Sequence, residues 1–340
     1  EKLIFNALPN ALAHSSELIE VNSFKRVKTN LGELLLTRDD KGKANAFHNI
    51  CSHRGTMLVK EETGCAKRLT CPYHAWSYST AGKLKTVPSE ASCFPNIDKS
   101  DFGLKALVCV EKYGFIWVWA NQNDTLNPES ILDIHLGAVG ELLASLKVNN
   151  LHAFKSTSKN WQANWKLLTE GGLETYHFSF AHKNTIGPYF LNNTSVIDYI
   201  ADHIRVAMPS KNIVEVIEKE EKDRFLRDFT HTLYSIFPQS AFLIQEKHID
   251  WVRTRPVSEG VTEMIITSLI PDTPNSLSKE QRKYWEENFS ITLTTLDEDF
   301  VLAESIQQSL SSGAISTLSF GRSEGALKKF NQIVDNYLSN

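Results

Sequence analysis

Cysteine is scarce in this 340-residue chain, and the five present (Cys51, Cys65, Cys71, Cys93 and Cys109) form an odd, uneven set. That excludes a disulfide framework and makes a reducing cytoplasm the expected setting. No apolar run approaches the ~18 residues that a membrane-spanning helix needs. Residues 1–6 (Glu-Lys-Leu-Ile-Phe-Asn) lack the basic start and long apolar core of a secretory signal. Basic charge is not in surplus either: 36 Lys and Arg against 40 Asp and Glu leave a net −4, so there is no electrostatic case for nucleic acid. Internal repeats, low-complexity tracts and a glycine-rich nucleotide fingerprint are all lacking.

What is present reads as a globular protein, with 41% hydrophobic and 22% charged residues. The length allows one large domain or two ordinary ones. Residues 25–120 are strand-like: runs at 34–37, 107–110 and 115–119 are β-branched or aromatic. Turn signals at 30–32, 39–42, 81–82 and 113–114 separate them. Short strands at this spacing predict a small all-β domain. The texture changes after Asn121. Helical spacing is expected over 132–146, in the second half of 161–182, and over 278–288, 294–310 and 326–338. In the last of these, Leu327, Phe330, Ile333 (or Val334) and Leu338 fall near one face. Alternating runs at 204–208, 213–217 and 264–269 read as strands. The expected fold class is α+β, with an all-β domain at 1–125 and an α+β domain at 126–340 whose antiparallel sheet is flanked by helices.

The densest chemistry is Cys51-Ser52-His53-Arg54-Gly55 followed by Cys71-Pro72-Tyr73-His74-Ala75-Trp76: Cys-x-His, 17 residues, Cys-x-x-His. Two thiols and two imidazoles in paired short spacings suit a metal in two ways. Zinc takes all four on one tetrahedral ion. A 2Fe–2S cluster puts two thiolates on one iron and two imidazoles on the other. The tight Cys-x-His gap, the turn-forming Gly55 and Pro72, and Trp76 and Tyr73 as a dry shell favour the cluster. Cys109 reads as a small buried hydrophobe, while Cys65 and Cys93 have no partner at ligand spacing. The pattern resembles the Rieske family. The Arg-Gly after the first His and the Trp after the second are similar to its oxygenase branch. The extra loop cysteines of the respiratory branch are missing: Arg54, Gly55, Thr56 and Tyr73 stand in that neighbourhood.

A second cluster lies downstream, where Glu170, Glu174, His177 and His182 follow Asn164-Trp165-Lys166 as Glu-x3-Glu-x2-His-x4-His. At ~100° per residue, Glu170, Glu174 and His177 share one helix face. His182 is about 140° off it, so the helix is expected to end near Ser179 or to carry a π-bulge. Two such imidazoles supply half of a 2-His-1-carboxylate iron site. His48, His152, His203, His231 and His248 are isolated and read as surface or core histidines. The downstream aromatics Tyr189, Phe190, Phe229, Phe237, Phe242 and Trp251 read as core, with a pocket or cation–π cage as the sharper alternative.

The two motifs in one polypeptide resemble the catalytic subunit of Rieske non-haem iron oxygenases, over most of the chain and into Phe320-Gly321-Arg322, Glu324 and Phe330. The resemblance implies a 2Fe–2S cluster on Cys51, His53, Cys71 and His74, and a mononuclear Fe(II) on His177, His182 and a distant aspartate. Counting back nine residues from Gln308, with Glu304 between, makes that aspartate Asp299, with Asp297 the runner-up. Glu174 matches the carboxylate that bridges a cluster histidine of a neighbouring subunit to an iron histidine in a ring-shaped homotrimer. The implied partners are dioxygen, an NAD(P)H-dependent reductase or a ferredoxin, and a small organic substrate undergoing mono- or dioxygenation or N-demethylation. Most members acting on aromatic rings carry Asp where Glu174 stands; Glu is found in those acting on quaternary ammonium compounds such as choline and carnitine. Gly171 stands where Asn is common, withdrawing a polar group from the iron. The competing reading is an electron-transfer protein whose second domain only binds a partner.

Overall fold

The computed structural model describes residues 2–120 and 126–339, and in it the chain forms two compact units, residues 1–135 with 140–150, and residues 136–139 with 151–340. The expected boundary after residue 125 adjoins residues 121–125, outside the described residues. Two helices, Pro128–Leu136 and Ala138–Ser145, stand where one was expected over 132–146. Gly137, at φ +52°, separates them.

The first unit is built from three small antiparallel sheets. Asn10–His14, Phe115–Trp119 and Val108–Lys112 form one; Ala44–His48, Gly32–Arg38, Ser23–Thr29 and Thr63–Cys65 form the second. The third, of Leu69–Thr70, Ser77–Tyr78 and Leu84–Thr86, is the shortest. Phe115–Trp119 is buried at every position, so it reads as a continuous apolar run instead of an alternation. Cys51 and Cys71 belong to a core cluster with Leu58, Leu69, Trp76 and Tyr78.

The second unit carries a seven-stranded antiparallel sheet. His152–Trp161 lies at one edge, beside Val261–Ile270; Ile249–Ser258, Ser240–Ile244, Thr230–Ile236, His203–Pro209 and Val196–Ile200 follow. Lys279–Ser311 is a single 33-residue helix, so the two segments expected at 278–288 and 294–310 are continuous. Nothing between them breaks a helix: residues 289–293 hold neither Gly nor Pro. Its apolar side, through Phe289, Phe300 and Ala303, packs on Trp161, Met264 and Ile266 of the sheet and on Leu167 and Leu168. A Ser278 capping box with Gln281 starts it. The last helix, Gly325–Ser339, buries Leu327, Phe330, Ile333 and Val334 as expected, while Leu338 is exposed. The alternating run at 213–217 is helical turns, Lys211–Val214 and Glu215–Glu218, not a strand. Val214 and Ile217 point into solvent there, so no second face is buried to hold an extended segment.

Candidate metal centres

In the first unit the two ligand-bearing loops are closed by the same pair of backbone bonds. Cys51 N–H donates to Thr56 O at 2.8 Å and Cys71 N–H to Trp76 O at 2.8 Å. Gly55 and Ala75 donate back to the carbonyls of Cys51 and Cys71 at 2.9 and 3.1 Å. Both turns need a left-handed residue, supplied by Gly55 at φ +75° and by Ala75 at φ +56°. The matched loops bring His53 and His74 together, ring centroids 4.7 Å apart, and place Cys51 and Cys71 side by side in the core.

The two loops gather two thiols and two imidazoles, a donor set that suits a two-iron group. Among the described residues, no three of these four side chains bring donor atoms within 4.8 Å of one another, as a single tetrahedral ion would require. His74 Nδ1 is buried without a hydrogen-bond partner, so its lone pair is free to take a metal. Burial pushes the Cys51 thiol up, so holding it as thiolate falls to a metal. Trp76 is buried and stacks on His53 at 4.6 Å, giving the dry wall expected of it. Tyr73 differs: it is 56% exposed, although its ring lies over His74. The second sheltering residue is Tyr78, whose hydroxyl lies 3.1 Å from Cys51 Sγ and 2.9 Å from Ser52 Oγ. Nothing in the Cys/His spacing pointed to Tyr78, seven residues beyond Cys71.

The second unit departs from the expected continuous ligand helix. Asn164 caps the Trp165–Gly171 helix by accepting from Lys166 N–H at 3.0 Å, and Trp165 is buried against Phe330. That helix stops at Gly171-Gly172, before Glu174. The chain then turns, and one helical turn, Phe178–Ala181, carries His177 at its start and His182 at its end. So Glu170, Glu174 and His177 do not share a helix face, and neither an end near Ser179 nor a π-bulge reconciles the two imidazoles. They meet because they bracket a single turn. Gly187 makes room for it: a Cβ there would come 2.5 Å from Phe178 O and 2.9 Å from His182 O.

The resulting geometry is convergent. His177 Nε2 and His182 Nε2 are 3.1 Å apart, and Asp299 Oδ1 lies 3.2 and 3.0 Å from them. Each imidazole is oriented from behind by a carboxylate: His177 Nδ1–H donates to Glu174 Oε1, and His182 Nδ1–H to Glu298 Oε2 at 2.7 Å. With both Nδ1 atoms donating, the two Nε2 atoms and a carboxylate oxygen face one point, where a metal would take the place of the Nε2 protons. Burial alone would lower His177, but its bonds to Asp299 and Glu174 raise it to about 9. Burial would likewise raise Asp299, yet the same imidazoles hold it below the usual carboxylate range. A divalent cation satisfies all three donors, and the set is the 2-His-1-carboxylate one that suits iron.

Asp299 is thus the aspartate brought to the histidines. Asp297 is half exposed and pairs with Lys159 at 3.3 Å. Gln308 is exposed; its neighbour Gln307 accepts from Asn164 N–H at 2.9 Å, and Glu304 from Gln162 N–H at 2.7 Å. Glu298, with Thr185 donating to it at 2.6 Å, was missed as an orienting group, since an acidic run does not announce its phase on a helix. Gly171 faces the centre: a Cβ there would sit 3.8 Å from Asp299 Cβ. His231 is not an isolated core histidine. With Phe190, Leu233, Leu243 and His182 it lines a cavity of about 130 Å³ that reaches Asp299. Burial pushes its imidazole down to about 4, so it is neutral. Of the other downstream aromatics, Tyr189 is exposed, and Phe229, Phe237, Phe242 and Trp251 are buried outside that lining.

Fold and sites together define a protein with an iron–sulfur domain ahead of a non-haem iron domain. Residues 9–109 match the Rieske [2Fe-2S] domain and residues 148–340 match the ring hydroxylating alpha subunit (catalytic domain), and the chain belongs to the latter family. These two matches imply a Rieske cluster and a mononuclear iron. The chain is similar to the anthranilate 1,2-dioxygenase large subunit of Acinetobacter baylyi, 31% identical over 54% of this chain and 40% of that protein. It also resembles the chloroplastic choline monooxygenase of Beta vulgaris, 26% identical over 88% of this chain and 65% of that one. It therefore spans less than two thirds of the length of these curated relatives. The crystal structure of the quaternary ammonium Rieske monooxygenase CntA with L-carnitine shares the fold, at TM-score 0.81 and 21% identity, over 99% of this chain and 90% of that one. No helix among the described residues is long and apolar enough to cross a membrane.

Proposed function

We propose that this chain is the terminal oxygenase component of a Rieske oxygenase system, carrying out dioxygen-dependent hydroxylation of a small organic molecule. The observation that carries the reading is the convergence of His177, His182 and Asp299 on one point beside a cavity. In this reading Cys51 and Cys71 hold one iron of the cluster and His53 and His74 the other. His177, His182 and Asp299 hold the mononuclear iron. The cluster supplies single electrons, and the iron supplies open positions for dioxygen.

The chain's own groups then have distinct tasks. Glu174 and Glu298 fix the tautomers of the ligand imidazoles and raise their basicity. Phe178, Phe190 and Leu233 give the cavity an apolar wall beside the metal donors. Glu174 serves as the bridge towards the cluster of a neighbouring subunit in a homotrimer. In support, Glu174 and His177 border a second cavity of about 280 Å³ lined by the partly exposed Leu302, Ile306, Leu318 and Phe320. Electrons arrive from a separate NAD(P)H-dependent reductase, directly or through a ferredoxin, in the cytoplasm. The reading divides the chain into a cluster domain at 1–125 and an iron domain at 126–340.

Purified protein is expected to contain about three irons per chain, two of them in a coloured cluster, and to consume dioxygen when given a reductase and substrate. Two irons per chain and no dioxygen uptake with any of a panel of aromatic acids, quaternary amines and N-methyl compounds would favour the electron-transfer alternative.

A further inference from the structure

The Lys279–Ser311 helix runs along the cavity and presents one stripe to it: Asn288, Thr292, Thr295 and Asp299, three or four residues apart. Asp299 marks the iron end. At 1.5 Å per residue, Thr292 lies ~10 Å further along the helix axis. That far end holds polar groups beside the apolar Ile291. Gln245 also lines the cavity, and its Nε2 donates to Asp250 Oδ2 at 2.7 Å; Thr292 Oγ1 donates to the same oxygen at 2.7 Å. Asp250 is fully buried behind them and is not part of the lining. By accepting from Nε2, Asp250 Oδ2 holds the Gln245 amide with its nitrogen turned inward, which leaves the carbonyl oxygen for the cavity. Thr295 Oγ1, a helical turn nearer the iron, is buried without a hydrogen-bond partner.

Formal charge is scarce in the same lining. Asp299 is the one carboxylate among the described lining residues, and it is tied to two imidazoles; Lys and Arg are absent from that set. His231 is held neutral by burial. Two phenyl rings, Phe178 and Phe190, border the space at 77° to each other. The His231 ring stands at 80° to Phe190, so the walls are two phenyl rings and a neutral imidazole; a trimethylammonium group would find no free carboxylate there, and it has no N–H for Gln245.

We infer that the cavity selects a compact, uncharged, mainly apolar substrate whose single O–H or N–H donates to the Gln245 carbonyl. Asp250 acts as the positioning residue that orients this amide. The inference rests on the oxygenase reading for what happens at the iron end.

The test is binding, read by calorimetry on resting protein with both cofactors in place and no reductant, so turnover does not enter. The probes are phenol against anisole, indole against 1-methylindole, and aniline against N,N-dimethylaniline, with choline and benzoate as charged controls. At least one donor is expected to bind roughly tenfold or more tighter than its capped partner. Choline and benzoate are expected not to bind at millimolar concentration. In Gln245→Leu, with iron content and circular dichroism checked, that preference is expected to fall to about one, because the residue that reads the donor is gone. Asp250→Asn, which allows the amide to turn over, should weaken the preference while the capped compounds bind as before. The inference is overturned if no donor outbinds its capped partner, if choline outbinds every donor, or if the preference survives Gln245→Leu. Failure of dioxygen uptake with selective binding intact would instead overturn the oxygenase reading alone.

Discussion

In the first unit all four proposed cluster donors come from residues 51–74, on two loops closed by matching backbone bonds. In the second, the proposed iron donors come from one turn at 177–182 and from a helix more than a hundred residues downstream, and carboxylates steer the imidazoles. One centre is built by the main chain and the other by side-chain charge. The first should tolerate changes in neighbouring charge; the second should respond to each of them.

The largest effect to test that contrast is His177→Ala, which should reduce iron from about three to about two per chain and abolish turnover. The cluster's visible spectrum should persist, and loss of both signals together would mean that the two centres are not separately built. Next is Glu174→Gln. Both metals should stay bound, while product formation falls about a hundredfold because a neutral amide replaces the carboxylate behind His177. Normal turnover in that variant removes Glu174 from its bridging role. Glu298→Gln sharpens the comparison within the iron centre: it should weaken iron binding about tenfold, measured by chelator competition. The smallest effect belongs to the loop-built centre. Tyr78→Phe removes a donor to Cys51, and protein-film voltammetry should find the cluster potential lower by tens of millivolts with the iron count unchanged.

The same contrast explains what could be read from the residues alone. Cys51, His53, Cys71 and His74 are legible because a loop-built centre concentrates its donors in short fixed spacings. His177 and His182 are legible as a pair, yet their local structure is not: Gly171-Gly172 ends the helix early, and a helical wheel drawn across that break misplaces Glu174. Asp299 could be separated from Asp297 only through a resemblance, since neighbouring acids on a helix differ by phase against a sheet that spacing does not describe. Tyr78, Glu298 and His231 were invisible for a common reason. Each acquires its task from a partner distant in sequence: Cys51, His182 and the cavity wall. The strands were legible where one face or the whole strand is buried, as in Phe115–Trp119, and failed at 213–217, where exposed Val214 and Ile217 imitate an alternation.

A single rigid rod carries Thr292 and Thr295, which touch the cavity, together with Glu298 and Asp299, which serve the metal. Bulkier or smaller side chains at 288, 292 or 295 that shift this rod would drag the metal's own anchor with them. Remodelling for altered substrate range should therefore begin on the opposite wall, at Met208, Leu233 and Leu243, where the sheet can be recontoured without disturbing coordination.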